Sequence, residues 1–63
     1  MEKYFYKGFE IVPVKGGVKV LAPSLKFKVV KLAKTAIEAK LWIETIETDA
    51  ELKRAARAIE NKF

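Results

Sequence analysis

Ten residues near the middle of the chain, LKFKVVKLAK (25–34), hold four lysines: Lys26, Lys28, Lys31 and Lys34. Lys26 and Lys28 alternate with Leu25, Phe27 and Val29. Successive side chains of a strand point to opposite faces, so an extended segment here presents both ammonium groups on one side. Cations in such a row neutralise phosphates by displacing condensed counterions, the chemistry of nucleic-acid binding through the backbone. Lys19 projects to the same side from the preceding strand, and Lys31 and Lys34 extend the positive field toward the next element. Tyr4 and Tyr6 share one side of a second extended stretch, KYFY, and offer rings on which bases stack. Arg54 and Arg57 fall on one helix face with Lys53 and Asn61 beside them, a set suited to a major groove. Each feature has a plainer reading. Lysines on a strand edge oppose strand-to-strand aggregation. A tyrosine near an edge packs with its hydroxyl in water, and a charged helix face is commonly just solvated.

Catalysis has little to work with. The chain has no cysteine and no histidine, which removes disulfides, thiolate chemistry, the usual general base and the commonest metal ligands. Ser24 is the only serine and lies in a turn. Carboxylates gather at Glu44, Glu47, Asp49 and Glu51, but they flank a helix start, where the helix dipole and capping favour negative charge. Asp49 is the only aspartate, and no cation-binding loop surrounds it. The expectation is a protein that is no enzyme and takes neither metal nor cofactor.

Sixty-three residues predict a single domain, 1–63. A chain this short buries only about 60% of the surface its unfolded form exposes. Without disulfide or metal, reinforcement must come from tight packing or from a second subunit. The charge is lopsided: residues 1–34 carry +6 and residues 35–63 carry −1, for a net +5. A basic half joined to a near-neutral half points to an anionic partner. No apolar run approaches the ~20 residues of a membrane span. MEKYFYKG lacks the apolar core and cleavage site of a signal peptide, so no membrane association and a cytoplasmic location are expected. Gln, Cys and His are missing, Asn61 is the only asparagine, and Lys, Glu, Ile and Val abound. That is the composition of proteins from hot environments.

The elements that must position these residues read as an α+β domain. FEIVPV (9–14) and VKVLA (18–22) are β-branched strands joined through KGG, whose glycines accept the positive φ of a tight hairpin. A two-residue loop at Gly16 and Gly17 sets Val12 against Leu21 and groups Phe9, Ile11, Val18, Val20 and Ala22 on the buried face. A three-residue loop groups Val12, Val14, Val18 and Val20 instead. The first register is preferred because it leaves Glu10 and Lys19 outside. It also leaves Val12, Val14 and Leu21 on that outer face, needing a cover. Pro13 removes a ladder donor and predicts an edge or bulge. KYFY either pairs at a sheet edge or enters the first strand through a bulge at Lys7 and Gly8. APSL (22–25) is a turn, and the next strand points Leu25, Phe27 and Val29 inward and Lys26, Lys28 and Val30 outward.

Thr35 and Glu38 form a capping box that opens a helix. Ala39, Trp42, Ile43 and Ile46 make its inner stripe, with Trp42 expected to face Phe27 across the sheet–helix interface. Ile37 and Leu41 form a second apolar strip that a second helix is expected to cover. Thr48 and Glu51 repeat the box, followed by Leu52, Ala55, Ala56, Ile59 and Phe63 at helical spacing. The order is β-β-β-α-α: a three-stranded antiparallel sheet packed by one helix, then a second C-terminal helix.

Tyr6, Lys7, Gly8, Phe9 and Ile11, a glycine hairpin, a third strand, then Thr35, Ala39, Trp42 and Ile43 form a pattern over roughly residues 4–46. It resembles the small three-strand-plus-helix DNA-binding domains of the AP2 and integrase arm-binding type, frequent in mobile genetic elements. The resemblance implies a sheet whose outer face lies in the major groove, often reading bases through Arg and Trp. Lys19, Lys26 and Lys28 would hold those positions here, with no arginine or tryptophan among them, and the second helix is an addition to the family pattern. The reading that joins these features is a small nucleic-acid-binding protein of a thermophile or its mobile element. It contacts phosphates, most simply of duplex DNA, through a lysine-rich sheet face. The rival reading is a protein-interaction module or structural homodimer whose lysines form a soluble rim.

Overall fold

The computed structural model describes residues 3–61. Along the chain come β1 (Tyr4–Tyr6), β2 (Phe9–Val14), β3 (Gly17–Ala22), a single 3-10 turn (Pro23–Leu25), β4 (Lys28–Ala33), α1 (Ala36–Thr45) and α2 (Asp49–Glu60). The strands form one antiparallel sheet in the order β1-β2-β3-β4. Both helices bury side chains in the core on one of its faces. The α+β class stands as expected, but the sheet has four strands where the pattern predicted three. The added strand is KYFY, and of its two expected placements it takes the edge. Tyr6 pairs with Phe9, leaving Lys7 and Gly8 as a two-residue loop with φ of 49° and 83°. Positive φ at both loop positions matches the right-handed twist of an antiparallel pair.

The β2–β3 hairpin closes one residue earlier than expected. Val14 pairs with Gly17, so Lys15 and Gly16 form the loop and Gly16 takes the positive φ of 88°. Val12 therefore faces Lys19 instead of Leu21. The pairing moves by two residues, which preserves strand parity, so the expected faces survive. Ile11, Val18, Val20 and Ala22 are buried, and Phe9 packs against them. Gly17 serves a different purpose from Gly16: a Cβ there would overlap the Ala33 carbonyl oxygen. Its absence lets β4 close up on the start of β3. Pro13 lies past Tyr4↔Ile11, the outermost described pair of the β1–β2 ladder, where its missing N–H does no harm.

The third predicted strand departs most from expectation. Lys26 and Phe27 are both left-handed, with φ of 57° and 60°, and the strand starts only at Lys28. Val18↔Ala33, Lys19↔Leu32 and Val20↔Lys31 run in one register, Leu21↔Val29 and Ala22↔Lys28 in another. Val30 is the extra residue of a β-bulge, and it is 1% exposed, at the centre of the core. The expected inward and outward sets are thus exchanged: Val30 goes in, Val29 sits opposite outward Leu21, and Phe27 is 50% exposed. Phe27 is not the core partner of Trp42. Leu25 does pack against the core, as alternation required.

Both helix starts carry the threonine half of the expected capping boxes, without the reciprocal bond from the glutamate side chain to the threonine N–H. The Thr35 hydroxyl oxygen accepts from the Glu38 N–H at 3.1 Å, and that of Thr48 accepts from the Glu51 N–H at 3.4 Å. Glu51 returns its carboxylate to the Glu47 N–H at 3.0 Å, one residue beyond the cap. Ala39 and Ile43 of α1 are buried, with Trp42 and Ile46 half-buried beside them. Leu52 and Ala56 anchor α2, while Phe63 falls outside the described residues. The expected cover over Ile37 and Leu41 does not form. α2 packs along β4 instead, and these two residues are 71% and 64% exposed. Among the described residues, no helix is long and apolar enough to cross a membrane.

Replacing Gly17 by Ala should cost about 1–3 kcal/mol, the range for forcing a methyl into a filled space. Ile43→Ala should cost about 2–5 kcal/mol, whereas Phe27→Ala should cost about 1 kcal/mol or less, as for a surface site. Urea unfolding of the three variants measures the order directly, and a Phe27 variant as damaged as the Ile43 variant would contradict the placement of β4.

Candidate nucleic-acid interface

Leu52 and Ala56 hold α2 against β4, and the short alanine lets the helix lie close. This places one edge of its charged face beside the turn that precedes β4. Lys53 and Arg57 of α2, Lys28 of β4, and Ser24 and Lys26 of the turn border an open cleft of about 500 Å³, floored by Leu25 and Ala56. Among the described residues Glu60 is the only carboxylate on its wall, against four cations. Lys28 Nζ lies 3.1 Å from Glu60 Oε1, with both side chains more than half exposed. Water and salt screen a pair of that kind, so it yields easily to a competing anion. Arg54 stands next door, sharing Lys53 and Arg57 with the cleft around a shallower depression of about 300 Å³.

The turn that supplies Lys26 is specific in shape. The Phe27 N–H donates to the Ala22 carbonyl at 2.9 Å and the Lys26 N–H to the Pro23 carbonyl at 3.1 Å. These are the nested bonds of a Schellman motif, with Lys26 at the left-handed position where glycine is usual. Left-handed backbone costs an L-residue roughly 1–2 kcal/mol. The strain therefore falls on a cation of the cleft.

The expected lysine-rich sheet face does not form. Lys26 is in the turn, and Lys28 pairs with Ala22, which puts it on the helix side of the sheet. Lys31 faces Val20 at the bulge and is half-buried; Lys34 is exposed just past β4. Lys19 alone of the five lies on the outer face, between Val12 and Leu32. Tyr4 and Tyr6 pair with Ile11 and Phe9 and pack against the core on the helix side. Lys40 Nζ sits 5.4 Å and 5.5 Å from their ring centroids, with Lys7 Nζ 5.9 Å from Tyr6. Cation–π contacts of this reach occupy the rings that base stacking requires. Lys7 is itself engaged: its ammonium donates to the Glu44 carboxylate, which raises its pKa above the ordinary lysine value.

The structure thus brings Lys26 and Lys28 together with the secondary candidates Arg54 and Arg57. It leaves Lys19, Lys31, Lys34, Tyr4 and Tyr6 elsewhere. Lys53, which the sequence sets beside the two arginines, joins the cleft with Ser24, which the sequence offered only as a turn residue. For Lys53 a signal existed in its i,i+4 spacing to Arg57. For Lys40, which engages both tyrosines, no local pattern existed. Among the described residues no cluster of acidic side chains could hold a metal ion. Comparison with protein-family models, curated proteins and solved structures finds no match to this chain.

The cleft depends on α2 being fixed at its first turn. Thr48→Ala should lower stability by about 0.5–2 kcal/mol through loss of the cap. Amide hydrogen exchange should quicken first at Glu51, whose N–H the cap satisfies, and unaltered protection there would show that the cap does not hold the helix.

Proposed function

We propose that this chain binds nucleic acid, with duplex DNA the simplest substrate, by contacting the phosphate backbone at the cleft between α2 and the turn before β4. The observation that carries this reading is the convergence of Lys26, Lys28, Lys53 and Arg57 around one open cleft, with Arg54 at its border. Like charges brought together on a small domain raise its free energy unless an anion is there to meet them. Among the described residues no aromatic ring lines the cleft, so they offer stacking on single strands no platform there. An open cleft bordered by flexible ammonium groups suits a repeating polyanion better than a small enclosed ligand. Contacts of this kind orient a protein on the duplex without reading its sequence.

Three to four phosphates neutralised should give a slope of log affinity against log salt of roughly −3 to −4 on duplex DNA. Fluorescence anisotropy over a salt series measures it. Lys53→Glu with Arg57→Glu should abolish binding. Lys15→Glu with Lys34→Glu, which changes the net charge equally at exposed lysines outside the cleft, should weaken it only mildly. Equal losses from both double variants would reduce the effect to overall charge. No binding to any nucleic acid at low salt would remove the proposal.

A further inference from the structure

Among the described residues no element covers the face of the sheet turned away from the helices. Phe5, Val12, Val14, Leu21, Val29 and Leu32 share it, with Phe5 62%, Leu32 46% and Val14 40% exposed. Contiguous apolar surface on a soluble monomer marks an interaction site. Two charged residues stand among the strand residues of this face, and they are of opposite sign. Glu10 pairs with Leu21 and Phe5; Lys19 pairs with Val12 and Leu32. Glu10 is only 8% exposed, although no helix lies over it, and its ion-pair partner Lys3 sits at a loose 3.8 Å. Among the described residues that loose contact is the ion pair this carboxylate makes, which leaves it room for a closer cation.

We infer that this face is the interface of a homodimer, in which two copies pack sheet to sheet and Lys19 of each meets Glu10 of the other. Glu10 and Lys19 occupy diagonal positions on neighbouring strands, about 7–8 Å apart. A two-fold axis lying in the interface midway between them exchanges the two positions, so both ion pairs form at once, as a self-complementary contact requires. Val12 and Leu21, the other corners of that small rectangle, then lie near the axis and pack on their counterparts. The strands of the two sheets cross steeply, as in the orthogonal class of sheet packing.

The area suffices. Four strands spaced ~4.8 Å apart and up to six residues long at ~3.3 Å each give a flat footprint of about 350 Å² per copy. Accessible area exceeds a flat footprint, so the pair buries on the order of 1,000 Å², the threshold of a specific interface. A second copy also fits better than a foreign partner. A protein drawn to this basic chain by charge would seek the cleft, on the helix side, whereas the outer face is nearly neutral and matches itself. The reinforcement that so short a chain lacks is then supplied by the chain itself.

Charge exchange tests the inference, with no nucleic acid present. Sedimentation equilibrium of the unaltered chain should show a dimer at tens of micromolar. Lys19→Glu and Glu10→Lys, each alone, set like charges against each other and should sediment as monomers. Mixed in equal amounts, they should form a heterodimer, because each then supplies what the other lacks. Leu32→Glu, outside the core and half exposed, should be monomeric with an unchanged circular dichroism spectrum, which separates loss of association from loss of fold. Two results would overturn the inference: an unaltered chain that is folded and monomeric at millimolar concentration, or a Leu32→Glu variant that dimerises as before.

Discussion

Between Val20 and Leu21 of β3, the facing strand β4 fits three residues where a regular ladder has two. Most of the arrangement around β4 follows from that surplus. Had the register of Val18↔Ala33 continued, Val29 would point toward the helices and Val30 away from them. With Val30 bulged, its side chain enters the core, and Val29 and Leu32 both face outward. The same step turns Lys28 to the helix side, within reach of Glu60. Bulges bend a strand and re-aim its side chains, and here the re-aimed side chain is a cation that α2 then borders. The cleft gains Lys28 through this one irregularity, and the outer face loses it.

How far the sequence could be read follows from this. Features set by neighbours within a few residues were legible: the caps at Thr35 and Thr48, the inner stripes of both helices, and the turn at Pro23. The hairpin faces were legible too, because a displacement of the loop by one residue left the parity of Ile11, Val18, Val20 and Ala22 intact. The bulge was not. LKFKVV alternates cleanly, and only the distant pairing to β3 reveals that Lys26 and Phe27 have left the strand. Once that phase was misassigned, the expected lysine face and the Phe27–Trp42 contact fell with it. α2's docking along β4 was equally hidden, since its apolar stripe names a buried side but no partner.

The core itself is modest. Among the described residues its largest fully buried side chains are Ile11, Val20 and Val30, and four of its ten members are alanines. Small side chains bring helix and sheet close but bury little apolar area each, and stabilisation scales with that area. Larger apolar groups are spent elsewhere, at Phe5, Leu32, Ile37 and Leu41 on the surface. Aromatic bulk enters from the margin, where Tyr4, Tyr6 and Trp42 lean on the core without being enclosed by it. A domain so built has its apolar matter distributed between one face it covers and others it does not.

The left-handed lysine in the Schellman turn sets stability and charge against each other at a single position. Glycine at 26 would relax the backbone and remove a cation from the cleft in the same stroke. A population selected for heat resistance alone would move toward that glycine, whereas one held to lysine answers to a second demand. The conflict also bears on engineering. A library screened only for melting temperature is expected to enrich the substitution that erodes the cleft, so position 26 should be held fixed while the rest of the turn is varied.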